Sequence, residues 1–270
     1  FNLSINDEIM DITYRKDVVY GSTRQVENVS FADSDLVFVG YGVNAPEYGW
    51  NDYKVDVKGK TVVMLINDPG FELKGTDFKG KAMTYYGRWT YKFEEAARQG
   101  AAGVLIIHET APASYPWGVV ENGWSGEQLN LTFADKNLDR SALEGWITLE
   151  LAERLFAEMD TTYAKMKEKA LSKDFQAVPM EGMKLSSKTS PFYNSWVKNQ
   201  SEDIDEARKA ILSRDFLRLA EISEHNCMKM HSVMWTSRPS IVYWNSATIE
   251  CMHAIRELQK KGEFVFFTID

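Results

Sequence analysis

Three short apolar runs, separated by turn residues and by one helical stretch, constrain this chain more than any other feature. Leu36-Val37-Phe38-Val39, Thr61-Val62-Val63-Met64-Leu65-Ile66 and Gly103-Val104-Leu105-Ile106-Ile107 are β-branched or aromatic runs bounded by Gly, Asp and Asn. Each reads as a buried strand. Between the last two, Tyr91 to Gln99 places Phe93, Ala96 and Ala97 at helical spacing, with Gly100 where a left-handed C-terminal cap is expected. Strand, helix and strand in this order predict an α/β fold for the first part of the chain.

The later sequence changes character twice. From about residue 150 the spacing predicts a helix with Leu151, Leu155, Met159, Tyr163 and Met166 along one face. After Pro179, the segment Glu181 to Ser190 carries three Ser, two Lys and a Thr before Pro191, which suits a connector or an edge strand. The domain boundary is therefore expected there, giving domains 1–180 and 181–270. Beyond it three helices are readable. They are Trp196 to Ser213, with Ile204, Ala207 and Ile211 on one side; Asp215 to about Trp235, with Phe216, Ala220, Cys227, Met230 and Met234; and Ser246 to Lys261, with Ile249, Met252, Ile255 and Leu258. Asp215 and Ser246 are the expected N-caps, Gly262 the stop of the last helix, and Phe264 to Ile269 a final strand. The fold class is thus α/β, α+β overall: a sheet domain with flanking helices, then three helices and a strand.

Charge narrows the partners. Of 31 Lys+Arg and 39 Asp+Glu, 19 and 27 lie in residues 1–180, and 12 and 12 in the remainder, so the whole net charge of −8 belongs to the first part. No basic face for a phosphate backbone is expected, and nucleic acid is an unfavoured partner. No apolar run approaches the roughly 18 residues of a membrane span, which predicts a soluble chain. No basic, apolar, small-residue leader stands at Phe1, so no targeting signal is expected to remain. Cys227 and Cys251 lack a CxxC partner and are expected to be two small buried thiols.

Common catalytic signatures are missing. Gly59-Lys60-Thr61 resembles the end of a phosphate loop, but Lys54 stands where its first glycine belongs, so the segment reads as a turn into a strand. HExxH, GxSxG and GxGxxG are absent. His108, His225, His231 and His253 are too few and too scattered for a two-metal site, and His225 and His231, six residues apart, do not stack on a helix as i, i+4 ligands do. No metal ligand and no cofactor-binding residue is assigned. Tyr85, Tyr86, Trp89, Trp117 and Trp124 are candidates for a recognition surface or for packing under long loops.

Two resemblances accompany this reading. Leu36-Val37-Phe38-Val39-Gly40-Tyr41-Gly42-Val43, Ala45-Pro46-Glu47-Tyr48-Gly49-Trp50-Asn51-Asp52-Tyr53, Asn67-Asp68-Pro69-Gly70-Phe71 and Ala96-Ala97-Arg98-Gln99-Gly100-Ala101-Ala102-Gly103-Val104 make residues 1–180 similar to the protease-associated domain of bacterial zinc aminopeptidases. That resemblance implies a non-catalytic module that gates access or binds a peptide or protein partner, in a family that uses zinc and is usually exported. Residues 181–270 resemble part of the C-terminal domain of diphosphomevalonate decarboxylase, of the GHMP-kinase-like class, through Glu181-Gly182-Met183-Lys184, Thr189-Ser190-Pro191-Phe192-Tyr193, Glu224-His225-Asn226, Met230-His231-Ser232, Pro239-Ser240-Ile241-Val242-Tyr243-Trp244 and Phe266-Phe267-Thr268-Ile269-Asp270. That family is cytosolic and uses ATP and magnesium, and the resemblance implies that Asp270 matches its catalytic carboxylate. Together they imply a composite chain, binding or structural in role, that is not an enzyme by itself and needs no cofactor of its own. The alternatives are part of a zinc aminopeptidase or a fragment of an ATP-dependent decarboxylase. A homodimer through the edge of the final strand is a further expectation.

Overall fold

In the computed structural model, which describes all residues other than 74–77, 126–129, 191, 238–241, 243 and 270, the chain divides into two compact units, Phe1–Ser187 and Lys188–Asp270. Ten strands belong to the first unit: β1 Asn2–Ile5, β2 Glu8–Ile9, β3 Val18–Gly21, β4 Ser30–Phe38, β5 Asn44–Ala45, β6 Trp50–Asn51, β7 Thr61–Leu65, β8 Gly103–Ile107, β9 Leu143–Ile147 and β10 Val178–Lys188. Its helices are α1 Trp89–Arg98, α2 Thr110–Ala113, α3 Trp117–Trp124, α4 Leu149–Ala157 and α5 Tyr163–Lys169. Eight of the strands form one sheet in the order β2-β1-β10-β4-β7-β8-β9-β3, and β5 and β6 pair separately.

The centre of the sheet is parallel. β4 pairs with β7, β7 with β8 and β8 with β9 in one direction, while β3 closes one side antiparallel to β9 and β1 pairs antiparallel with β10. Every residue of β7, β8 and β9 is buried, as parallel strands covered on both faces require. Alternate side chains serve two cores. Val63, Leu65, Leu105 and Ile107 pack with Phe38, Leu151 and Phe156, whereas Val62, Met64, Val104 and Ile106 pack with Phe93, Ala96 and Trp146. Thus α4 covers one face and α1 the other. Gly100 has φ +79°, and the Gly100 and Ala101 amides donate to Ala97 and Ala96, so the predicted stop of α1 is formed. Gly59, at φ +73°, turns the chain into β7, with Lys60 N donating to Val57 O at 3.0 Å.

Several expectations need correction. Glu181 to Ser190 is not a connector or an edge: β10 covers 178–188 and lies inside the sheet between β1 and β4, with Met180, Met183 and Leu185 buried. The expected division at 180/181 falls within this strand, and the compact units meet at 187/188. The helix over 151–166 is two helices. Asp160 at φ +52° ends the first, and Thr162, accepting from Lys165 N at 3.3 Å, caps the second.

The second unit contains α6 Tyr193–Ser213, α7 Phe216–Thr236 and α8 Ser246–Lys260. Arg214 at φ +57° turns the chain, and the Asp215 carboxylate accepts from Arg218 N at 3.0 Å, as an N-cap should. Asn245, not Ser246, caps α8, accepting from Thr248 N at 3.0 Å. The expected α6 face is displaced: Ile204 and Ile211 are exposed, at 62% and 60%. Contact with α7 uses Trp196 and Gln200, which donate to Asn226 Oδ1 at 3.2 and 2.9 Å, and Asp203, which pairs with Lys229. Ile249 and Leu258 of α8 are also exposed. Cys227 is buried and Cys251 exposed, so only one of the two is buried as expected. Phe264 to Ile269 forms no strand, so the expected final strand is absent from these residues. No helix among the described residues is long and apolar enough to cross a membrane.

Candidate functional site

Loops that leave the carboxyl ends of parallel strands bring polar side chains together, the usual place for chemistry in such sheets. Here β7 runs into Asn67 and Asp68, and β8 into His108 and Glu109. Buried Asp68 accepts from Gly70 N and Thr84 N, both at 3.0 Å, and from the Thr84 hydroxyl at 2.6 Å. Glu109 accepts from the Tyr163 hydroxyl at 2.5 Å and from Lys167 at 2.9 Å, and Lys167 also holds Glu72 at 2.6 Å. Deeper in, Asp52 accepts from Val43 N at 3.0 Å and Trp50 Nε1 at 2.9 Å, while fully buried Lys92 donates to Tyr41 O. Burial pushes the Asp52 carboxyl up and the Lys92 amine down, so both move toward their neutral forms.

These groups brace loops. Asp68 and Asp52 spend their oxygens on backbone and neighbouring side chains, and His108 Nε2 stands 3.0 Å from Tyr115 O, with burial lowering its pKa. Among the described residues no three His, Cys, Asp or Glu side chains stand where they could hold a metal ion. His225 and His231 lie on α7 and His253 on α8. The five aromatic candidates separate into groups. Tyr85 donates to Glu94 and Tyr86 to Glu47, Trp117 Nε1 donates to Arg15 O at 2.8 Å, and Trp89 and Trp124 pack edge to face at 5.8 Å.

In the second unit the informative contacts converge on Ile269. His231, fully buried on α7, has Nε2 3.0 Å from Ile269 O, and Ile269 N donates to Cys227 Sγ at 3.3 Å. Trp235 stacks on the His231 ring at 6.0 Å, and Trp244 meets it edge-on at 4.8 Å. Phe264 and Phe266 rest against Phe216 at 5.4 and 5.8 Å. The extended segment is therefore anchored to α7 at the residue that precedes Asp270. Asp270 itself lies outside the described residues, as do Pro191, Pro239, Ser240, Ile241 and Tyr243 from the quoted phrases. Spacing on α7 hinted at this anchor, since Cys227 and His231 are i and i+4, but the partner 38 residues away left no sequence signal.

Comparison with known proteins bears on the same region. Residues 155–268 match the family model described as the mevalonate 5-diphosphate decarboxylase C-terminal domain. Solved decarboxylase structures are similar over shares of this chain that run from 30% to 96%. Mevalonate diphosphate decarboxylase from Enterococcus faecalis is 35% identical over 30% of this chain and 26% of its own, at a TM-score of 0.30. Mevalonate pyrophosphate decarboxylase from Streptococcus pyogenes is 26% identical over the same shares, also at 0.30. Mevalonate diphosphate decarboxylase from Staphylococcus aureus is 15% identical over 96% of this chain and 87% of its own, again at 0.30. The chain spans about a quarter of the length of the first of these structures. No curated protein matches it. The family match supports a decarboxylase-type C-terminal domain that begins earlier than the 181–270 resemblance, inside α4. That match stops short of residues 1–154 and supports neither a protease-associated domain nor a composite chain.

Two outcomes are expected. His231→Ala removes the ring partner of the part-buried Ile269 carbonyl, a loss of about 0.5–1.5 kcal/mol. Amide exchange over residues 264–269 should accelerate with it, and unchanged exchange would show that the segment is held by other means. For Lys92, the unfolded chain binds a proton that the folded chain releases between the depressed pKa and the ordinary value of about 10.4. Stability therefore rises with pH across that interval, and Lys92→Met should lack the rise. Urea midpoints at neutral and alkaline pH read the difference; equal slopes for the two proteins would mean that the amine is not depressed.

Proposed function

We propose that the chain acts as a piece of an ATP-dependent mevalonate diphosphate decarboxylase, with its second unit and the elements just before it serving as part of that enzyme's C-terminal domain. The match over residues 155–268 is the observation that carries this reading. On it, Asp270 is the carboxylate presented to the substrate, and α7 fixes its approach by holding Ile269 through His231 and Cys227. Decarboxylation of this kind depends on positioning the diphosphates and stabilising their charge. The described residues gather no such centre: Gly59-Lys60-Thr61 is a turn into β7 rather than a phosphate cradle, and the carboxylates at the strand ends are committed to loops. On this reading the groups that hold ATP, magnesium and the diphosphate come from outside the described residues.

A second reading concerns the first unit, which has its own sheet and two cores of its own. We infer for it a binding or gating role of the protease-associated type, which the quoted phrases between Leu36 and Val104 support.

Complementation separates these possibilities. Residues 1–270 alone are expected to release no carbon dioxide from mevalonate diphosphate with ATP and magnesium, and to restore release when the phosphate-binding part of such a decarboxylase is supplied. Failure of the combined parts to release carbon dioxide would remove the decarboxylase reading. Stoichiometric zinc together with hydrolysis of an aminoacyl anilide would replace it with the aminopeptidase alternative.

A further inference from the structure

We draw no further inference here: the strongest candidate, the apolar stripe of Val197, Ile204 and Ile211 exposed along α6 of the second unit, carries nothing because nothing in the structure shows what covers it.

Discussion

Burial of the backbone of β7 and β8 sets the terms for the rest of the first unit. Their amides and carbonyls have left water on both faces, so each must find a partner across the sheet. The parallel register from Thr61↔Gly103 to Leu65↔Ile107 supplies those partners, and β9 continues it from Gly103↔Leu143 to Ile107↔Ile147. Parallel strands demand a crossover between them, and the crossover must cover a face. That requirement accounts for α1 between β7 and β8, with α2 and α3 between β8 and β9, while α4, which follows β9, covers the other face. The same constraint places the loops after β7 and β8 at one end of the sheet, where Asp68 and Glu109 tie them down.

The parts of this arrangement that were legible in the sequence are those in which one local signal acts alone. Apolar runs identified β7 and β8, helical spacing with a glycine after it identified α1 and its end, and Asp215 announced the start of α7. The missed elements are those in which a tertiary partner overrides the local signal. β9 is interrupted by Glu144 and Gly145: the first is tolerated because Arg140 pairs with it, and the second because a Cβ there would lie 2.7 Å from Val19 O on the adjoining strand. β10 looks polar because alternate residues face water, yet Met180, Met183 and Leu185 face the core. The reverse error occurs in Phe264 to Ile269, where strand-forming residues have no strand to pair with and α7 engages them instead.

For the candidate site the same logic applies. The resemblance pointed to Asp270, and the family match over residues 155–268 ends two residues before it. What the sequence could not convey is how the segment reaching that residue is held: an imidazole and a thiol one helical turn apart, both directed at the backbone of Ile269. Side-chain to backbone contacts over such separations have no pattern in the local sequence. The seam between α6 and α7 shows the same limit. Trp196, Gln200 and Asp203 hold it through polar partners, so a search for apolar spacing selected Ile204 and Ile211, which face solvent.

The chain folds as two units that divide at the last residue of β10, and β10 is an interior strand of the first. Limited proteolysis read by intact mass addresses this directly. Early cleavage between β10 and α6, leaving a resistant product that retains residues 178–187, is the predicted result. Early cleavage within 178–187 would contradict the account, because a strand paired on both sides does not present its backbone to a protease.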